Sequence, residues 1–198
     1  MVRLIGMGPG SSRYVTADAI QKIAEADRVI AFGRIGETAR EIRSDVEIVG
    51  RVEEVEGLLG AGGDVAILAS GDPCFFGLLE YLQRKNVRLD EVVPGLSSVQ
   101  YLMTRLQKSW QHAVFESFHG RDINLEKVRA NKTTVVLTDS KHTPSYISRF
   151  LYEEGIRGSL VAGFELSYPQ EVIIRADIGG EIEDISPLAV VVIENEMA

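Results

Sequence analysis

Short apolar runs, each closed by glycine or a polar turn, alternate with stretches of helical spacing along the whole chain. A strand covered on both faces reads as an unbroken apolar run, and a helix packed on it shows one apolar stripe. The pattern therefore predicts an α/β fold. In the first half, the runs at 2–7, 29–32, 46–49, 64–70 and 92–93 are the expected strands. Helices are expected after Thr16, a capping residue, and over 36–42, 52–59, 75–85 and 97–106, the last capped by Ser97 or Ser98. In the first helix Ile20, Ile23 and Ala24 stand at i, i+3, i+4 and are expected to share the buried face.

The rhythm changes after residue 106. Strands are expected at 114–118 and 133–138, and helices at 125–130 and 144–154, with Pro144 in a first turn that tolerates it. The runs at 160–166, 171–176 and 188–194 are separated by turns rather than full helices, which predicts antiparallel pairing. The polar segment 107–112, carrying Trp110, divides the two patterns. Two domains, 1–108 and 112–198, are expected.

Composition narrows the function. Hydrophobic residues make up 45% and charged residues 25%, the balance of an ordinary globular protein. A net charge of −8 without any block of Lys and Arg argues against nucleic acid, because phosphate neutralisation needs a basic face. Cys74 is the only cysteine, so neither an intrachain disulfide nor a multi-cysteine metal site is expected, and a reducing cytoplasm fits. No run approaches the roughly 18 to 20 apolar residues of a membrane helix. The first residues form too short an apolar run for a signal peptide.

Four segments carry candidate chemistry. Gly6-Met7-Gly8-Pro9-Gly10 follows the first strand but lacks dinucleotide spacing. Pro9 stands where an N–H would face a phosphate, and Asp27 is only a weak match to the distal acid, so a tight turn and a ligand loop both remain open. Ser70-Gly71-Asp72-Pro73-Cys74-Phe75-Phe76-Gly77 closes the strongest strand, at the end where open α/β sheets bind ligands. Asp72 fits a helix cap, yet a carboxylate in a constrained loop beside two aromatics suits a ligand with hydroxyls, an amine or a sulfonium. Pro94-Gly95-Leu96-Ser97-Ser98 is turn chemistry by itself, but as the third such loop on one rim it favours a pocket.

The fourth segment, Glu116-Ser117-Phe118-His119-Gly120-Arg121-Asp122, gathers a histidine, an arginine and two carboxylates. His112 lies seven residues back and His142 is distant, so the spacing does not suit a metal and no protein-bound metal is expected. His119 is either a hydrogen-bonded loop histidine or, with Arg121, an anion grip or proton-transfer pair. Lys141 and His142 are placed to join it. Cys74 has no base partner nearby in sequence and reads as a buried or pocket-lining thiol. Neither a G-x-S-x-G elbow nor a P-loop is present.

In this order LIGMGPG, ASGDPCFFG, PGLSSVQ and ESFHGR resemble the tetrapyrrole methylases over nearly the whole chain. ESFHGR resembles those members that methylate C-5 of a precorrin or cobalt-precorrin macrocycle in cobalamin biosynthesis. The resemblance implies two α/β domains with a ligand cleft between them, S-adenosylmethionine as methyl donor, a tetrapyrrole substrate and a homodimer. By position it implies donor contacts from Pro9, Gly71, Asp72, Pro73, Phe75, Phe76, Ser97 and Ser98. Thr138 and Asp139, then Phe164, Glu165 and Leu166, then Pro187, Leu188 and Ala189 would frame the adenine. Alignment would be the main catalytic device, with at most modest acid–base help from His119 or Glu116. Arg121 and Lys141 would bind the macrocycle's carboxylates, and a separate protein would methylate C-15 and decarboxylate. The alternatives are a relative acting on another tetrapyrrole carbon, on RNA or on protein, and a non-catalytic S-adenosylmethionine-binding protein. The acidic balance and ESFHGR speak against RNA and protein substrates.

Overall fold

The apolar runs of the first half form five parallel strands: β1 (Val2–Gly6), β2 (Arg28–Phe32), β3 (Glu47–Val49), β4 (Val65–Ala69) and β5 (Glu91–Val93). Their order is β3-β2-β4-β1-β5. The computed structural model describes residues 1–59, 62–118, 122–186 and 188–198. Side chains alternate across a strand, and β4 shows the result. Its Ala66 and Leu68 pack with Ile5, Val29 and Ala31 against α1 (Ala17–Glu25) and α2 (Arg34–Arg40). Its Val65, Ile67 and Ala69 pack with Leu4 and Ile30 against α3 (Glu53–Leu59) and α4 (Leu78–Arg84). Both faces are covered, which is why the central strand β4 is apolar throughout and the charged residues of the others stand at or near their starts. Neighbouring β1 and β4 thus send their following helices to opposite faces, the switch point at which open sheets form a crevice.

Two expectations are corrected here. Thr16 caps α1 as expected, accepting from the Ala19 N–H at 3.1 Å. The buried stripe then runs through Ala19, Ile23 and Ala26, while Ile20 is 40% exposed and Ala24 is also exposed. A residue one position along a helix is turned about 100° away, so Ile20 cannot share the face of Ala19. The helix expected from residue 75 starts instead at Leu78, because Phe76 has φ 49° and Gly77 abuts the loop before it.

At the end of the sheet where β1 and β5 begin, charged groups interlock. Arg3 bridges Asp64 at 2.5 Å and Glu91 at 3.1 Å, and Lys22 reaches Glu91 at 2.5 Å.

The second half has strands β6 (Val114–Ser117), β7 (Thr133–Leu137), β8 (Gly158–Phe164), β9 (Val172–Asp177) and β10 (Ala189–Asn195), in the order β6-β7-β10-β8-β9. Only β6 and β7 are parallel; β8 pairs antiparallel with both β9 and β10, as the short turns predict. α5 (Ser98–Arg105), α6 (Leu125–Arg129) and α7 (Pro144–Glu153) accompany this sheet in sequence, with Thr143 capping α7 and Pro144 in its first turn. Val128, Ile147, Leu151, Leu160, Phe164 and Val191 form its core.

Packing divides the chain into Met1–Ser98 and Val99–Ala198. The division falls at the start of α5, ahead of 107–112, because α5 packs through Leu102 beside Gly163 and Leu166 of the second unit. Among the described residues no helix is long and apolar enough to cross a membrane.

Candidate functional site

In the first unit, the loops leaving β1, β4 and β5 meet through their main chains. Gly71 N donates to Gly8 O at 2.8 Å, and Gly8 N returns a bond to Gly71 O at 3.3 Å. Both glycines have left-handed backbones, φ 79° and 63°, which a side chain would strain. A Cβ on Gly6 would stand 2.6 Å from Gly95 N and 2.7 Å from Gly71 O. A Cβ on Gly95 would strike the same carbonyl. The rim is therefore built of peptide groups in contact, and Thr38 Oγ1 ties it to α2 by donating to Gly10 O at 2.9 Å.

Asp72 is half-buried on this rim. Its Oδ1 accepts from Cys74 N at 2.8 Å, so it shapes its own loop rather than capping α4, whose cap is Gly77. Gly77 has no room for a side chain: a Cβ would lie 2.8 Å from Asp72 O. Phe75 and Phe76 meet edge to face, ring centres 4.9 Å apart, and Phe76 is exposed. Pro9 is half-buried, Pro73 and Ser97 are buried, and Ser98 opens α5. Cys74 is exposed, which corrects the buried reading. Partial loss of water around the thiol, then the charge and hydrogen bond of Asp72, push its pKa up, so it stays a thiol and a weak nucleophile.

In the second unit, the expected residues gather at one end of the sheet. β6, β7 and β8 end there, and antiparallel β10 begins there, with Leu137 opposite Val190 and Phe164 opposite Ala189. Thr138 Oγ1 accepts from Ala189 N at 2.7 Å, fixing the start of β10. Leu188 beside it is 55% exposed. Phe164 is wholly buried in the core, so its side chain is not available to a ligand. Leu166 is also buried, whereas Glu165 is half-buried with φ 47°. Glu116 points from β6 to an ion pair with Lys127, and exposed Lys141 makes a loose one with Asp122 at 3.4 Å. His119, Arg121 and Pro187 lie outside the described residues.

Sequence reasoning named Asp139 and His142 without their mutual contact, and it missed Glu171. Buried Asp139 accepts at Oδ1 from His142 N at 2.7 Å and Lys141 N at 2.9 Å, and the His142 ring nitrogen Nδ1 lies 3.1 Å away. The His142 ring is edge-on to Phe118 and Tyr146. Glu171 holds the loop that contains Glu165 and Leu166, accepting from Ser167 N at 2.8 Å and Arg105 Nε at 2.9 Å. No sequence signal marked Glu171. Among the described residues no group of three or more His, Cys, Asp and Glu is set to hold a metal ion.

A doubly wound sheet with a glycine/proline rim at its switch point, followed by a mixed sheet, is the fold shared with solved tetrapyrrole methylases. Residues 1–180 match the Tetrapyrrole (Corrin/Porphyrin) Methylases, and the chain belongs to that family of methyltransferases.

Among its relatives, the cobalt-precorrin-7 C(5)-methyltransferase of Salmonella typhimurium is 25% identical over 98% of this chain and 99% of its own length. A probable cobalt-precorrin-7 C(5)-methyltransferase of Methanocaldococcus jannaschii is 29% identical over 65% of this chain, a match that spans 64% of that relative. Among solved structures, a precorrin-6Y methylase from Archaeoglobus fulgidus superposes with TM-score 0.78 at 24% identity, covering 99% of this chain and 98% of that one. A uroporphyrin-III C-methyl transferase from Thermus thermophilus, solved with S-adenyl homocysteine, gives 0.77 at 25% identity and 96% coverage of both.

Proposed function

We propose that the chain uses S-adenosylmethionine to methylate C-5 of a precorrin or cobalt-precorrin macrocycle in cobalamin biosynthesis. The observation that carries this reading is the near end-to-end match to a Salmonella enzyme named for that reaction.

The rim of the first unit suits such a donor. Gly8 and Gly71 present main chain without side chains in the way, and Asp72 offers a carboxylate to an ammonium or to ribose hydroxyls. The donor, when bound, supplies a methyl group already activated on a sulfonium. What the chain contributes is alignment: Asp72, Pro9, Ser97 and Ser98 fix one reactant, and Arg121, with Lys141, holds the macrocycle's carboxylates. His119 and Glu116 are the candidates for proton transfer, and the ion pair with Lys127 holds the Glu116 carboxylate in place.

A homodimer in the cytosol completes the reading. The family resemblance supports the first part, and the single cysteine supports the compartment.

The test is incubation with methyl-labelled donor and cobalt-precorrin intermediates, followed by mass spectrometry and NMR of the product. One added methyl at C-5 is expected. A methyl at another carbon redirects the substrate assignment. Failure of folded protein to take up S-adenosylhomocysteine in a calorimeter overturns the donor assignment itself.

A further inference from the structure

The turn leaving β8 is unusual. Glu165 and Ser167, neither a glycine, both sit in the left-handed region at φ 47° and 70°. Such conformations persist only where surroundings impose them, and they concentrate at ligand-binding turns. Two hydrogen bonds fold the turn on itself, Tyr168 N to Glu165 O and Glu171 N to Tyr168 O, each at 3.0 Å.

The carboxylate of Glu171 then latches it. One oxygen accepts from Ser167 N at 2.8 Å, the other from Arg105 Nε at 2.9 Å on α5, and Tyr101 of the same helix adds a third hydrogen bond. The side chain is only 14% exposed. Burial works against its charge, yet the bonds from Tyr101, Ser167 and Arg105 outweigh that and hold the carboxyl below the usual glutamate range. A second contact runs alongside: a Cβ on Gly163 would lie 2.8 Å from Leu166 Cδ2 and 3.0 Å from Leu102 Cδ1, so this glycine lets the turn's leucine close onto α5.

We propose that Glu171 is a positioning residue for the methyl donor, clamping the strained Glu165–Ser167 turn to α5 so that it is already in its binding shape before the donor arrives. The proposal rests on the donor reading of Glu165 and Leu166 given above. Without the latch the turn relaxes toward unstrained backbone, and the donor must select the minority that retains the bound shape. If about one molecule in ten does so, the apparent dissociation constant rises about tenfold.

Glu171→Ala and Glu171→Gln, measured beside the unaltered protein, test it. Readouts are S-adenosylhomocysteine affinity by calorimetry, KM for the macrocycle, and melting temperature. Expected for Glu171→Ala is a donor affinity weaker by about tenfold or more with macrocycle KM nearly unchanged. Expected for Glu171→Gln is recovery of most of that loss, since an amide oxygen still accepts from Ser167 N. Wild-type donor affinity in a folded Glu171→Ala protein overturns the proposal, and so does an equal loss of donor and macrocycle binding, the mark of general damage. Should Glu171→Ala not fold, the double variant Tyr101→Phe, Arg105→Ala strips two of the three donors and is expected to weaken donor binding severalfold. No change there overturns the proposal equally. Absence of binding by the unaltered protein is a different outcome, which removes the donor reading rather than the latch alone.

Discussion

Gly6→Ala isolates the contact on which the rim depends. No left-handed backbone is required at Gly6, so alanine brings bulk and little else. Its Cβ would lie 2.6 Å from Gly95 N, 2.7 Å from Gly71 O and 2.8 Å from Gly95 Cα. Favourable contacts of carbon begin at about 3.5 Å. All three atoms are main chain, so no side-chain rotation relieves the clash, and the loops after β4 and β5 must separate. Overpacking by one carbon costs about 1–3 kcal/mol, and a collision with two backbone segments puts this variant at about 3 kcal/mol. At about 2–4 °C per kcal/mol for a chain of this size, the melting temperature should fall by about 6–12 °C. S-adenosylhomocysteine affinity should fall with it, because the rim opens. Gly57→Ala is the internal control: it lies in α3, exposed, with nothing within 4 Å of the new Cβ. There the same methyl should stabilise by about 0.5–1 kcal/mol through helix propensity. Scanning calorimetry and a donor titration read both variants. A Gly6→Ala protein with unaltered melting temperature and unaltered donor affinity would refute the close contact of the three loops.

Further outcomes follow from the site and from the opposite end of the first sheet. Asp72→Ala should chiefly weaken S-adenosylhomocysteine binding in calorimetry, leaving macrocycle KM close to normal; wild-type donor affinity removes Asp72 from the site. Arg121→Ala should do the reverse, raising macrocycle KM while donor affinity stays within about twofold, less than 0.5 kcal/mol. Equal losses count against an anion grip. The hydrogen bond from Lys22, exceeding the opposing effect of burial, and then Arg3 hold the Glu91 carboxyl below its ordinary value. An unfolded glutamate titrates near about 4.3. The contribution is therefore complete above that pH and is lost as pH falls through the lower folded pKa. Urea midpoints measured on acidification should show this decline, and Glu91→Gln should flatten it; an identical acid slope in that variant disproves the assignment.

Strand positions were legible because a sheet covered on both faces makes its central strands mostly apolar: β4 stands out as Val65-Ala66-Ile67-Leu68-Ala69 without any partner being known. Helix phase was less so. Ile20 is as apolar as Ile23, and only the packing of α1 decides that Ala19 faces the sheet instead. The start of α4 was misread because Phe75, Phe76 and Leu78 fit helical spacing, whereas the carbonyls of Asp72 and Pro73 crowd Gly77 from a loop. Loop positions on the first rim could be read from glycine and proline alone, since those residues mark turns whatever surrounds them. The contacts among them could not, because Gly6, Gly71 and Gly95 are far apart in sequence and meet only through sheet order. Glu171 is hidden for the same reason: its partners come from α5 and from the turn after β8, and nothing in the residues around it announces either.

If the proposed donor sits on the peptide-lined rim, the rim has a consequence for anyone wishing to feed this enzyme bulkier alkyl groups. Enlarging a pocket usually means trimming a side chain, and at Gly8, Gly71 and Gly95 nothing remains to trim. On that reading extra room would have to be carved from Phe75 or Phe76, while the glycine positions keep the dimensions their carbonyls dictate.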